Sequence, residues 1–132
     1  MSRHRTARRT LAALAAAAIV GAIAVLSGCA GTYTSISPET VRERLDSGEQ
    51  VFLLDVRTQS EFDAGHIPGA VLIPVQQLKS RMGEVPDDRP IIVYCLTAGR
   101  SAEAAAMLSA AGYKDVFDMA QGIQGWRGAV VR

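Results

Sequence analysis

Cys95 stands between an apolar run, Ile91 to Tyr94, and an alanine-rich stretch that opens at Ser101, with Leu96-Thr97-Ala98-Gly99 separating it from Arg100. Where a strand hands over to a helix, the amides of the loop and the helix dipole converge on one spot, and both favour negative charge there. The thiolate is the nucleophilic form of cysteine, so a thiol at that spot is placed to attack. The competing reading is a small buried apolar residue, the commoner fate of a lone cysteine. The only other cysteine, Cys29, closes an apolar stretch near the chain start and has a different expected fate, which leaves Cys95 without a disulfide partner.

Four further side chains invite a chemical role. Asp55 is the single charge within Val51 to Val56, and a carboxylate at a buried strand end is expected to organise the adjoining loop by accepting hydrogen bonds. Arg57 and Glu61 lie four apart, so they either pair with each other or leave Arg57 free to bind an anion. His66, inside Gly65-His66-Ile67-Pro68-Gly69, reads as a hydrogen-bonder that fixes a turn rather than as a general base. Trp126 reads as core. No spacing of Cys and His suits a metal, and neither a metal nor a cofactor is expected.

The elements that must position these residues follow from punctuation and periodicity. Ser37 is the expected N-cap and Pro38 the first residue of a helix that runs to about Ser47 and ends at Gly48. Val51 to Val56 suits a strand buried on both faces. Thr58 and Glu61 have capping-box spacing for a short helix over Ser60 to Ala64, stopped by Gly65. Val71 to Ile73 gives a second strand, Gln76 to Met82 a helix, Gly83 to Pro90 a loop and Ile91 to Tyr94 a third strand. A helix from Ser101 to about Ala111, a fourth strand at Val116 to Met119 and a short closing helix over Ile123 to Arg127 complete the order. Strands alternating with helices predict an α/β fold with a parallel sheet, whose ligand sites lie at the carboxyl ends of the strands.

The chain start differs in character. Arg3, Arg5, Arg8 and Arg9 precede an apolar stretch, Leu11 to Leu26, broken only by Gly21 and short for a membrane span. Leu26-Ser27-Gly28-Cys29 resembles the lipobox at which bacterial lipoproteins are acylated and cleaved. Residues 1–28 are therefore expected to be a signal peptide, Cys29 a lipidated N-terminus, and Ala30 to Ile36 a short tether. Such a chain is exported and anchored by lipid to the outer face of the bacterial cytoplasmic membrane, because two acyl chains attach stably where one does not. An uncleaved, single-pass signal anchor is the alternative, and Arg8-Arg9 followed by Thr10-Leu11 fits a twin-arginine signal loosely. Setting those four arginines aside leaves ten basic against thirteen acidic residues from Cys29 onward, a balance of −3 that argues against nucleic acid as a partner. The remaining hundred or so residues suffice for one domain.

From about Ser37 to Val131 the chain resembles a single-domain rhodanese. Asp55-Val56-Arg57, Glu61-Phe62, Gly65-His66-Ile67-Pro68-Gly69-Ala70 and Ile73-Pro74 follow that family's amino-terminal signature, Tyr94-Cys95 with Arg100-Ser101 its active loop, and Gly122-Ile123 with Trp126 its closing segment. The resemblance implies a three-layer fold over residues 37–132, with a central parallel sheet flanked by helices. It also implies sulfur transfer, in which Cys95 takes sulfane sulfur from thiosulfate or a persulfide and passes it to cyanide or a thiol. The amides of Leu96, Thr97, Ala98, Gly99 and Ser101 would cradle the charge, Arg100 and Arg57 would bind the donor, and Asp55 and Glu61 would support the loop.

The four residues between Cys95 and Arg100 make a loop one shorter than that of the related phosphatases and arsenate reductases, which ranks those activities lower. Departures from the family pattern are Ala98 and Gln121, where glycine is commoner, and Val130, where proline is. If position 98 needs a positive φ, alanine reshapes the loop at a cost of about 1 kcal/mol. A rhodanese-fold module that binds partners without turnover is the second reading.

Overall fold

The computed structural model of the chain describes residues 31–132. The expected signal peptide, Cys29 and the first residue of the tether lie outside them. Five strands, β1 (Thr34–Ile36), β2 (Phe52–Asp55), β3 (Val71–Leu72), β4 (Ile91–Tyr94) and β5 (Val116–Met119), form one sheet in the order β1-β5-β4-β2-β3. Every ladder in it is parallel. Parallel neighbours need crossovers, here made chiefly by helices α1 (Pro38–Asp46), α2 (Gln59–Ala64), α3 (Val75–Arg81) and α4 (Gly99–Ala110).

The caps form as their residue types require. Ser37 Oγ accepts from Thr40 N–H with Pro38 in the first turn. Thr58 and Glu61 make both bonds of a capping box, and Gly65 ends α2 at φ 155°.

Period-two alternation sorts the strands onto two faces. Leu54, Ile91, Val93, Cys95 and Val116 join Leu78 of α3 and Ala104, Ala105 and Leu108 of α4. Leu53, Ile92, Tyr94 and Met119 join Val41 of α1 and the closing Trp126. The result is three layers, with Cys95 at the carboxyl end of the central strand β4 on the α4 side.

Four sequence expectations need correction. Residues 34–36, read as tether, are an edge strand paired in register from Thr34 with Phe117 to Ile36 with Met119. Thr34 and Ser35 are exposed, so β1 carries no apolar alternation; its partner β5 defines it. Helix α4 begins at Gly99 rather than Ser101, and the expected last residue of α3, Met82, joins the start of the expected loop in a 3-10 turn, Met82–Glu84. The closing helix is a 3-10 turn at Gly122–Gly125, preceded by Gln121 in the left-handed region at φ 64°. A side chain there costs about 1 kcal/mol, part of which glycine returns as unfolded-state entropy. Gln121→Gly is therefore expected to stabilise the fold by a few tenths of a kcal/mol up to about 1 kcal/mol, read as a raised urea midpoint; a lowered midpoint would refute the strain.

Candidate active site

The loop from Cys95 to Gly99 is built by what it is tied to at its base. Ile123 N–H donates to the Cys95 carbonyl at 2.9 Å, and Gln124 N–H to the Leu96 carbonyl at 3.1 Å. Because a trans peptide points its C=O and N–H in opposite directions, these bonds turn the N–H groups of Leu96 and Thr97 away from the closing turn. Among the described residues, the N–H groups of Leu96, Thr97, Ala98, Gly99, Arg100 and Ser101 have no hydrogen-bond acceptor. Six consecutive free amides leading into a twelve-residue helix make an anion cradle. Leu96, Thr97, Ala98 and Gly99 are exposed above it, whereas Cys95 is 1% exposed.

Cys95 Sγ lies 3.3 Å from Ser101 Oγ, which in turn donates to the Ala98 carbonyl at 2.9 Å. Ser101 is wholly buried, so its hydroxyl is a polar contact aimed at the sulfur rather than at water. Ala98 has φ −154° and ψ −43°. The position needs no positive φ, and the alanine carries none of the strain that the departure from glycine suggested.

Gly122, by contrast, cannot be replaced. A Cβ there would sit 2.5 Å from the Cys95 carbonyl oxygen and 2.6 Å from the carbonyl carbon and oxygen of Leu96, with φ at +54°. All three are backbone atoms of the loop. Gly122→Ala is expected to cost about 2–4 kcal/mol and to displace the cradle, seen as a lowered melting point together with slower alkylation of Cys95. A variant with unchanged melting point and alkylation rate would show that the turn does not hold the loop.

The charged residues do not pair as their spacing suggested. Arg57 turns to Asp55, with Nε 3.0 Å from Oδ1 and Nη2 2.6 Å from Oδ2, and also donates to the Gly65 carbonyl at 2.8 Å. Both partners are buried, and the Arg57 guanidinium lies 5.6 Å from the centre of the Tyr94 ring. Burial, reinforced by Asp55, pushes the Tyr94 phenol up, which keeps it protonated while Ile67 N–H donates to its oxygen at 3.2 Å. Nε and Nη2 of Arg57 are thus both committed to this network, and the residue is 4% exposed. His66 Nδ1 lies 2.9 Å from the Phe62 carbonyl and its ring stacks on Phe62, the turn-fixing role expected of it. Trp126 is buried and its indole donates to the Ala129 carbonyl.

Glu61 instead reaches across to Arg100, with two bonds of 2.8 Å each. This bidentate pair ties α2 to the first turn of α4. Arg100, and secondarily the capping bonds from Thr58, hold the Glu61 carboxyl at about 2, against an ordinary 4.5. A depressed carboxylate stabilises the fold fully above the ordinary value and loses that contribution as pH falls towards about 2. Both side chains are partly exposed, so the expected contribution is on the order of 1–2 kcal/mol. Glu61→Gln should be less stable than wild type at pH 7, with the gap in urea midpoints closing below pH 4.5. A gap independent of pH would exclude the ion pair as its source.

The Rhodanese-like domain family model matches residues 37–129. The chain belongs to the rhodanese-like family. A probable adenylyltransferase/sulfurtransferase MoeZ of Mycobacterium tuberculosis is 40% identical over 108 residues, covering 80% of this chain but only 28% of the relative. A sulfurtransferase of Allochromatium vinosum is 38% identical, covering 69% of this chain and 85% of its own length. Among solved structures, a rhodanese-related protein of Thermoplasma volcanium superimposes with a TM-score of 0.69 at 30% identity, covering 75% of this chain and 98% of that one. The fold of this rhodanese-like domain, a parallel sheet with flanking helices, is as expected. Sequence reasoning missed Gly122 as a neighbour of the loop; the turn containing it was legible only as part of the family's closing segment.

Proposed function

We propose that this domain carries sulfane sulfur as a persulfide on Cys95, taking it from an anionic donor such as thiosulfate or a persulfide and giving it to a thiol or cyanide. The Cys95 thiolate attacks the outer sulfur of thiosulfate, a new S–S bond forms, and sulfite leaves with the electron pair of the broken bond. The persulfide's outer sulfur is then attacked by the acceptor, and the Cys95 thiolate departs. Each half-reaction places negative charge on sulfur, so what stabilises that charge favours both.

The observation that carries this reading is the run of six amides, without an acceptor among the described residues, that directly follows Cys95. Arg100 adds positive charge at the rim, where it stays paired with Glu61. The burial of Cys95 suits delivery of a single atom from a small donor. Intact-protein mass measurement after exposure to thiosulfate, and to a low-molecular-weight persulfide, tests the reading: one added sulfur, removed by reductant, is expected. No adduct from either donor would turn the assignment to a docking module on the same fold.

The anchoring expectation is part of the same proposal. The arginine-rich start, the apolar stretch and Leu26-Ser27-Gly28-Cys29 support export and lipidation at Cys29, which would hold the domain at the outer face of the cytoplasmic membrane on a short link. Incorporation of a palmitate analogue, lost in Cys29→Ala, is expected; labelling that persists in that variant would reject Cys29 as the attachment site.

A further inference from the structure

Gly31 fixes where the chain enters the domain. A Cβ there would overlap the backbone of Ser109 and Ala110, so the entering chain presses on the last turn of α4. Gly31 and Thr32 also share a hollow with Gly112, Lys114 and Asp115, in the turn that leads into β5. From there β1 runs parallel to β5, and parallel strands all start at the same end of a sheet. The entry point is therefore at the amino ends of the strands, whereas the Cys95 loop is at their carboxyl ends. Helix α4 spans the distance between the two: Gly99 opens it beside the loop and Ala110 closes it beside Gly31. Its 12 residues make a rod about 18 Å long.

Ala30 is the single residue between Cys29 and Gly31. Two peptide steps reach at most about 7 Å, less than half the length of α4. A domain held that closely to a surface cannot turn its far end to it. Surface charge does not compete with this constraint. The loops that open β4 and β5 set Asp87, Asp88 and Asp115 against Arg89 and Lys114, and the C-terminus of α4 adds partial negative charge. Anionic lipid has nothing to attract at that end, so the short link sets the orientation.

We propose that the amino-end pole of the sheet, where Gly31 enters, rests on the lipid surface and that the Cys95 loop faces away from it. Sulfur donor and acceptor then reach Cys95 from the aqueous side and not from within the bilayer. The proposal rests on anchoring at Cys29; the placement of the two poles on opposite ends of α4 does not.

The full chain, purified from membranes and reconstituted at low density in phosphatidylcholine vesicles, tests it. The vesicles carry a small fraction of phosphatidylethanolamine with a maleimide on its headgroup, and intact mass reads the thioether formed. Two reporters are compared in a Cys95→Ser background: Lys114→Cys at the near pole and Thr97→Cys in the loop, both at exposed positions. Water-soluble maleimide should modify the two at similar rates. Headgroup maleimide should modify Lys114→Cys at least about tenfold faster, because a link that cannot span two sites brings their effective concentration toward zero. Inserting about twenty Gly and Ser residues between Ala30 and Gly31, with a mean reach of about 25 Å, should bring the two rates within about threefold. If Lys114→Cys does not fold, Ala111→Cys, exposed at the same end of α4, replaces it.

Equal headgroup labelling of the two reporters without the insertion, or faster labelling of Thr97→Cys, would overturn the orientation, as would a difference that the insertion leaves unchanged. A chain that washes off the vesicles and incorporates no palmitate analogue would defeat the anchoring reading and take this proposal with it. An anchored chain with the wrong reporter order would defeat the orientation alone.

Discussion

Cys95→Ser is expected to lose about a thousandfold or more in thiosulfate-dependent thiocyanate formation, down to the uncatalysed background, while keeping the fold. Serine preserves the shape of a side chain that is almost wholly buried, and its hydroxyl can still pair with Ser101 Oγ, so the packing of β4 against α4 has no reason to change. What disappears is the nucleophile. A serine hydroxyl stays protonated at neutral pH even beside six free amides, and oxygen cannot take up sulfane sulfur as a persulfide. The comparison is made on protein whose circular dichroism and urea midpoint match wild type. Transfer retained in the serine variant would place the reacting group elsewhere.

That much of the site was legible because its parts are local. The strand-to-helix position of Cys95, the capping box of Thr58 and Glu61 and the left-handed Gly65 after α2 are all written within a few residues of one another, and each reports a backbone requirement. The pairings of the charged residues were not legible. Spacing put Glu61 on the same helical face as Arg57, but Asp55, two residues from Arg57 and with no exposure, offered a nearer and drier partner, which freed Glu61 to reach Arg100 thirty-nine residues away. Nor was Gly122 legible as a close neighbour of the loop, since its constraint is the approach of the Cys95 and Leu96 backbones.

The network that captured Arg57 carries the largest expected effect on stability. Asp55 is fully buried and Arg57 nearly so, joined by a 2.6 Å ion pair. Arg57 N–H also donates to Asp55 Oδ1 at 2.9 Å, and the bond to the Gly65 carbonyl fastens the end of β2 to the turn before β3. Arg57→Leu removes the guanidinium and leaves a carboxylate without its counter-charge in the interior, which is expected to cost about 3–5 kcal/mol. That is a large share of the 5–15 kcal/mol or so that holds a domain of this size together.

The double change Asp55→Leu with Arg57→Leu removes both charges at once, so it should be more stable than Arg57→Leu alone, although it also gives up the loop bonds. Urea unfolding of the three proteins measures this order, and a double variant no more stable than the single one would show that the hydrogen bonds, not the stranded charge, dominate. The same network bears on the reaction indirectly. Asp55 opposes Tyr94 in the β2–β4 ladder, and Val56 N–H donates to the Tyr94 carbonyl at 3.1 Å. Loosening the end of β2 therefore loosens the residue immediately before Cys95. Arg57→Lys, which keeps the charge but not the planar fork, is expected to lower stability while leaving KM for thiosulfate unchanged; a raised KM in that variant would return Arg57 to the donor site.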